Sequence, residues 1–494
     1  MHFVMPRSTP LRTFAALGLS VASFATLQSL IVPVLPVIQS ELHTTTAGVT
    51  WAVTAWLVSA AVATPLVGRI GDLAGRRRTF LIAVAGVALG SLVAAAAPTI
   101  GVLIIARVIQ GLGGAMFPLA FGLLREAFPV HRLPGAIGAM SAMLAIGSGL
   151  GTVLAGPLAG LLGWRGLFLV PLVLIAIGGV FTALVVPESR ERATGGVNVP
   201  AAVLLSGWLV ALLLPLSQGA IWGWTSPLVI GLFVAAALLL AGWVVVELRS
   251  RVPLVDIRML ASPRIWPMNL AGMLNGAAMF GVFAFFPRFV QTPASTGWGL
   301  GASVAASGLL MLPMLVTMGV AGFLSGPLAR IIGSRGQVAI AGALMVVATV
   351  AIALAHSTAW MLMTEAALFG LGLGIVYAAI TSVVVQSVPP TQTGVASGMN
   401  TNLRTIGSSI GVTVMTALVA GSIGRGGIPT EAGYTTGFLA VAAIGAGAVL
   451  AAVVAIVLAR RFAAPMPTGT VETTAVSPFA EEEVVVLPEV EKAA

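Results

Sequence analysis

The chain has 494 residues, of which 24 are Lys or Arg and 15 Asp or Glu, so 8% is charged while 58% is hydrophobic. A soluble fold carries about 25% charged residues and a disordered chain needs low hydrophobicity; both are excluded, and an integral membrane protein remains. There is no cysteine, so disulfides, thiolate metal sites and cysteine nucleophiles drop out.

A helical span needs about 20 mostly apolar residues. Apolar runs between charges, Pro/Gly turns and polar clusters predict spans near 12–34, 50–68, 78–98, 101–125, 134–158, 165–186, 200–219 and 227–248. Six more follow near 266–288, 304–326, 337–355, 361–387, 395–420 and 437–460. The first run is as long as its successors and lacks a small-x-small cleavage site, so it is expected to be a span, not a leader. The expected organisation is all-α: a six-helix bundle in 1–190, an inserted helix pair in 191–260, a second six-helix bundle in 261–462, and an acidic tail in 463–494. From Ala464 the tail turns to Pro, Thr and Val with six Glu, the composition of a disordered segment.

The formal net charge of +9 raises a nucleic-acid partner, and its placement removes that reading. With both termini inside, only Arg165, Arg288 and Arg425 fall outside, and Arg107 and Arg404 lie within spans. The other basic residues collect on the cytoplasmic side, as the positive-inside rule requires. The lipid bilayer, not nucleic acid, is therefore the expected partner. The expected location is a bacterial plasma membrane, since Arg far outnumbers Lys as in GC-rich genomes, and the protein is expected to be monomeric.

The two halves look like copies. A shift of 259 lays Gly111-Leu112-Gly113 on Gly370-Leu371-Gly372, Ala120 on Ala379, Gly135 on Gly394 and Met140 on Met399. A shift of 258 lays Gly68, Gly75 and Arg77 on Gly326, Gly333 and Arg335. Parallel repeats of this kind pack around an axis along the membrane normal, with the substrate site between them near the midplane. Spans 7 and 8 have no copy.

The loop after span 2 reads Gly68-Arg69-Ile70-Gly71-Asp72-Leu73-Ala74-Gly75-Arg76-Arg77-Arg78. Its glycines allow a tight turn and close helix approach. Asp72 is a lone acid among arginines, placed to pair with one of them or with a helix N-terminus. This loop resembles the signature between spans 2 and 3 of the major facilitator superfamily. Arg107-Val108-Ile109-Gln110-Gly111-Leu112-Gly113-Gly114 in span 4 is similar to that superfamily's second signature. In span 5, Gly147-Ser148-Gly149-Leu150-Gly151 followed by Gly156-Pro157-Leu158-Ala159-Gly160 resembles its exporter (antiporter) signature, without the usual second Gly after Gly160. Trp164-Arg165 and Val186-Pro187-Glu188-Ser189 also sit where the superfamily has them. Span 13, from Gly394 to Arg404, resembles the fourteen-span drug:proton antiporters of the EmrB/QacA type.

The resemblance implies two six-helix bundles, with two inserted helices, that rock around a central site. It implies a cytoplasmic latch at Gly68, Asp72, Gly75, Arg76 and Arg77, and a part for Arg107 in proton coupling. Gly151, Gly156, Pro157 and Gly160 would shape the span-5 interface and resist leakage. Two departures stand out. Gln28 occupies the place of the first-span acid, and Gln cannot titrate. Arg330 replaces the second-half equivalent of Asp72, so the halves cannot latch alike.

Three charges remain inside spans away from their ends: Arg107, Glu365 and Arg404. A charge at the bilayer centre costs about 2.5–3.5 kcal/mol on insertion scales and marks function. Glu365, the only acid among them, falls beside Arg107 in the repeat alignment. It is expected to be the protonatable coupling site, with Arg107 tuning it; the bland alternative is a wet acid near the outer surface. Arg404 also has a structural reading, in which it donates to carbonyls of neighbouring spans and holds Asn400 and Asn402 in place; His43 and His356 are expected to be solvated in external loops. A drug cavity needs apolar and aromatic walls with a few polar anchors. Its candidates are Gln28, Trp56, Gln110, Met116, Phe117, Asn275, Phe280, Phe283, Tyr377, Asn400 and Arg404.

The expected function is secondary active export of small amphiphilic or cationic drugs or toxic metabolites by proton antiport. The alternatives are a dedicated exporter of one metabolite or, against the Gly156-Pro157 element, an uptake symporter. No phosphate-binding loop of an ATP-driven pump occurs. The spans hold no His/Asp/Glu cluster for metal or acid–base chemistry, so no enzyme, metal or cofactor is expected.

Overall fold

The computed structural model describes residues 10–189, 192–424 and 428–461. The expected acidic tail and Arg425 lie outside these residues. Twelve helices among the described residues are long and apolar enough to cross a membrane. Two of them are double. Leu133–Val185 is broken at Gly163 (φ 66°, ψ 173°) and Val304–Leu354 at Gly333 (φ 70°, ψ 156°). Fourteen span-length segments result, numbered here α1 (Pro10–Ile31), α2 (Thr46–Ala74), α3 (Arg76–Ala95), α4 (Ile100–Ala127), α5 (133–162), α6 (164–185) and α7 (Val199–Trp222). They continue as α8 (Pro227–Arg249), α9 (Trp266–Gln291), α10 (304–332), α11 (334–354), α12 (Ala359–Ser387), α13 (Thr393–Ala420) and α14 (Glu431–Arg461).

Local chemistry sets the helix starts. Thr45, Asn198, Ser226 and Ser303 each accept a hydrogen bond from the backbone N–H three residues on, at 3.1–3.4 Å. Such caps satisfy donors that a membrane helix otherwise leaves unpaired. Pro200 and Pro227 stand in first turns, where no N–H is needed.

Burial sorts the helices. One apolar core draws almost wholly on α1–α6, with Phe24, Phe80, Met116, Trp164 and Phe168 in it. A second draws on α9–α14, with Phe286, Met314, Phe369 and Phe438. A third joins α7 and α8 to α2 and α13, through Ala61, Leu205, Trp208, Trp243, Val395 and Met399. The inserted pair thus lies over the seam between α2 and α13.

The structure carries the repeat seen in the sequence. Gly75 (φ 110°) turns the chain from α2 into α3, and its mate Gly333 (φ 70°) turns it from α10 into α11. Both conformations are strained for any residue with a Cβ. Gly113 lies against Val87 of α3, and its mate Gly372 against Met345 of α11.

The halves meet along two repeat-related seams, α2 with α13 and α5 with α10. At the face carrying the Arg-rich turns, called here the basic face, these seams close to backbone contact. A Cβ on Gly68 would lie 2.9 Å from the Gly394 carbonyl oxygen. The same shifts convert this pair into Gly326 and Gly135, which also touch backbone to backbone. Towards the opposite face the second seam parts: Gly156 and Gly160 of α5, and Gly308 of α10, have no neighbouring atom within 4 Å of an added Cβ. Gly68→Ala is therefore expected to wedge the basic face open. In a protein without cysteine, a probe cysteine at Ser397, 4% exposed on α13, should then react faster with a maleimide; an unchanged rate would show that the seam yields without opening.

Candidate transport site and gate

The candidate gate is the set of contacts that the Gly68–Arg77 turn makes across the seam. Asp72 accepts from the backbone N–H groups of Gly394 and Val395, both at 3.2 Å, at the first turn of α13. The carboxylate thus meets the positive end of a helix from the other half. On its own side it accepts from Arg76 Nε at 3.0 Å and Nη2 at 2.7 Å. Arg76 is fully buried; it pairs with Glu126 at 2.5 Å and donates to the Pro390 carbonyl across the seam. Glu188 caps the start of α3 by accepting from the N–H groups of Arg77 and Arg78, each at 3.1 Å. Arg77 itself reaches the Ala183 carbonyl.

One of the cross-seam contacts involves a residue that sequence reasoning missed. Arg125 donates across the seam to the carbonyls of Val385 and Val388 at 2.7 and 2.9 Å, and to Thr393 Oγ1 at 2.8 Å. In the sequence it counts only as one more loop arginine; its place at the basic end of span 4, beside Glu126, was the available signal. In the second half Arg330 is exposed and replaces the acid, so no equivalent of Asp72 bridges there.

The polar cluster in the first half centres on Arg107, which is 2% exposed. Its Nη1 donates to Gln110 Oε1 at 2.8 Å, its Nε to the Ala52 carbonyl at 3.2 Å, and its Nη2 to Gln28 Oε1 at 3.3 Å. The guanidinium carbon lies 5.4 Å from the centre of the Trp56 ring. Gln110 passes the network on to Ser91 at 3.0 Å. Gln28, standing where the acid was expected, is therefore a direct but neutral partner of Arg107. Gln28 Nε2 and Trp56 Nε1 are buried with no hydrogen-bond partner among the described residues.

Glu365 is 7% exposed on α12, six residues from its start at Ala359. One carboxylate oxygen, Oε2, is buried without a partner. No hydrogen bond or ion pair among the described residues joins it to Arg107, whose hydrogen-bond partners all belong to α1, α2 and α4. The tuning of Glu365 by Arg107 that the repeat alignment suggests thus has no direct contact behind it in this conformation, the two residues standing on α12 and α4 in opposite halves.

Arg404 corrects another expectation. It donates to the Tyr377 hydroxyl at 2.7 Å and lies over that ring at 4.0 Å, rather than holding Asn400 and Asn402. Asn400 donates to Asn269 at 3.0 Å, and Asn402 crosses the seam to the Ala61 carbonyl at 2.8 Å. Helical spacing turns Asn402 to another face of α13, while Asn400, one turn from Arg404 on the same face, is taken up by Asn269 of α9.

The other cavity candidates scatter. Met116 is fully buried in the first core. Asn275 donates to Met345 Sδ at 3.4 Å inside the second half, beside a small void among α9, α11, α12 and α14. Phe280 is 43% exposed and leans on Phe283 at 6.4 Å between ring centres. Phe117 stays in the first half, 5.9 Å from Phe24. Of the exporter signature, Gly151 packs against Ser29 of α1, but Gly156, Pro157 and Gly160 are exposed and shape no tight interface here. They lie where the α5 seam has already parted. His356 is not solvated as expected: it bonds Glu431 at 2.9 Å and packs edge-on against Phe289 at 5.0 Å.

Two repeated helical halves that meet along paired seams, with charged side chains buried inside the spans, are the architecture of a membrane transporter. Residues 17–412 match the Major Facilitator Superfamily model, and the chain belongs to that superfamily. It is 30% identical to the tetracenomycin C resistance and export protein of Streptomyces glaucescens, over 85% of this chain and 77% of that protein. It is 28% identical to the multidrug transporter protein MdtP of Bacillus subtilis, over 75% and 68%. With the multidrug resistance protein B homolog of Mycobacterium tuberculosis it shares 30% identity over 77% and 71%. The fold is shared with the human organic anion transporter MFSD10, at a TM-score of 0.67, 17% identity and coverage of 91% and 100%.

Proposed function

We propose that the protein exports amphiphilic organic molecules from a bacterial cell by proton antiport, as a fourteen-span drug antiporter with both termini cytoplasmic. The basic face is then the inner face, which the positive-inside rule supports. The bundles 1–190 and 261–462 move against each other, with 191–260 as an added pair. The observation that carries this reading is the asymmetry of the seams. They are sealed at the basic face by Gly68–Gly394, Gly135–Gly326 and Asp72, and one of them is parted at the other face. A molecule that alternates its opening needs such a reversible seal. Glu365 carries the proton, and Arg107 with Gln28, Trp56 and Gln110 forms the polar wall of the substrate path. The relatives' names, one an export and resistance protein, one a resistance protein and one a multidrug transporter, support the direction.

The test is dye efflux from cells carrying the protein, with and without a protonophore. Efflux that ignores the protonophore sinks the antiport reading, and absence of efflux for any amphiphilic dye favours a dedicated metabolite exporter.

One observation bears on charge. Neither Arg107 nor Arg404 pairs with an acid among the described residues. An uncompensated buried cation favours substrates with an anionic group over the cationic drugs expected from the sequence. Gln28→Glu places a carboxylate on Arg107 and is expected to move the anionic-to-cationic dye efflux ratio by roughly tenfold towards cations, the equivalent of about 1.4 kcal/mol. An unmoved ratio would place Arg107 outside the substrate path.

A further inference from the structure

The two halves share a turn and differ in what sits on it. At Gly75 the turn holds a carboxylate: Glu188 Oε1 lies 2.6 Å from where a Cβ on Gly75 would be, and its two oxygens accept from the N–H groups of Arg77 and Arg78. The 258 shift carries Arg77 and Arg78 onto Arg335 and Gly336. At Gly333 nothing lies within 4 Å of the same point. A cleft of about 490 Å³ opens there instead, walled by Arg264, Ser334, Arg335, Gln386, Ser387 and Ala459.

No acid lines this cleft. Neither Arg264 nor Arg335 forms an ion pair among the described residues, and Arg335 Nε is buried without a hydrogen-bond partner. Two guanidinium groups share one cleft without a counter-charge, next to the start of α11. That arrangement repels itself and attracts carboxylate or phosphate oxygens.

The repeat also indicates where the anion comes from. In the first half the chain leaving α6 at Val185 supplies Glu188 three residues later. In the second half the corresponding exit is the end of α14, and Ala459 of that end forms part of the cleft wall. The 33 residues after Arg461 contain six Glu, the first being Glu472, followed by Glu481, Glu482 and Glu483. Eleven residues of extended chain reach about 36 Å, ample for a cleft at the point of exit.

We propose that the acidic C-terminal tail seats a carboxylate, Glu472 foremost, in the Arg264–Arg335 cleft, restoring in the second half the contact that Glu188 makes in the first. The inference stands apart from the transport reading and holds for any cargo.

The absence of cysteine makes the test direct. Ser387→Cys with Val471→Cys, in the full-length protein reconstituted in neutral phosphatidylcholine nanodiscs, is expected to form an intramolecular disulfide on mild oxidation. Glu→Gln at all six tail positions leaves the membrane fold untouched and should slow that cross-link at least tenfold; Arg264→Gln with Arg335→Gln should do the same. An absent cross-link, or one that persists at full rate with the six glutamines, overturns the proposal. So does a cross-link that forms in phosphatidylcholine but disappears in phosphatidylglycerol discs or on adding inorganic phosphate, since a lipid headgroup or free phosphate is then the occupant.

Discussion

Asp72→Asn is expected to lose most active export while the protein still inserts and folds. The substitution acts on two contacts of different kinds. The ion pair with Arg76 lies within one half and survives any rocking motion, and Glu126 keeps Arg76 partly compensated. The contact with the N–H groups of Gly394 and Val395 joins the halves and exists only while the basic face is closed. A carboxylate at a helix N-terminus contributes up to about 2 kcal/mol in partly buried settings, and losing it shifts the closed-to-open ratio by roughly tenfold or more. A Ser397→Cys probe should therefore label about tenfold faster in the Asn variant. Equal labelling in both proteins would mean that backbone packing at Gly68 and Gly394 holds the gate without the charge.

Glu365→Gln is expected to abolish the response of export to a proton gradient and leave substrate binding intact. The residue is buried in a span, and among the described residues its Oε2 has no hydrogen-bond partner and no salt bridge occupies it. An acid in that state takes up or releases a proton without first breaking an ion pair. Gln keeps the shape and one oxygen but cannot titrate. Energised vesicles carrying the variant should equilibrate a dye across the membrane but not concentrate it. Full gradient-driven accumulation by the variant would remove Glu365 from the coupling step and leave Arg107 without an acid to work against.

The fold was largely legible because its signals are local. Hydropathy marks each span, arginine placement marks one face, and the glycine spacing around 68–75 and 326–333 recurs as two turns with positive φ. Asp72 was legible too, since a lone acid beside a helix end has few other uses. The cavity was not. Met116, Asn275 and Phe280 are reasonable pocket residues by type, but whether a helix turns them to a core, a void or the exterior depends on partners hundreds of residues away. Arg107 and Glu365 were found as buried charges in opposite halves, yet which side chains surround Arg107, and that Glu365 is not among its hydrogen-bond partners, follows from packing that no spacing rule contains. Arg125 was passed over because a basic residue at a span end has an adequate explanation in topology alone.

The inserted pair gives the molecule a covered side and a bare one. Across α2 and α13 lies α7, tied to the first half by the Gln218–Thr54 hydrogen bond at 2.8 Å and touching Val395, Met399 and Ile406 only through apolar surface. Apolar contact has no direction and tolerates sliding, so α13 can glide beneath a partner that stays bolted to α2. Among the described residues no helix covers the α5–α10 seam in this way, and Leu150, Leu154, Leu312 and Val316 stand exposed along it. One seam is thus roofed by a helix pair, and the other is left facing the bilayer.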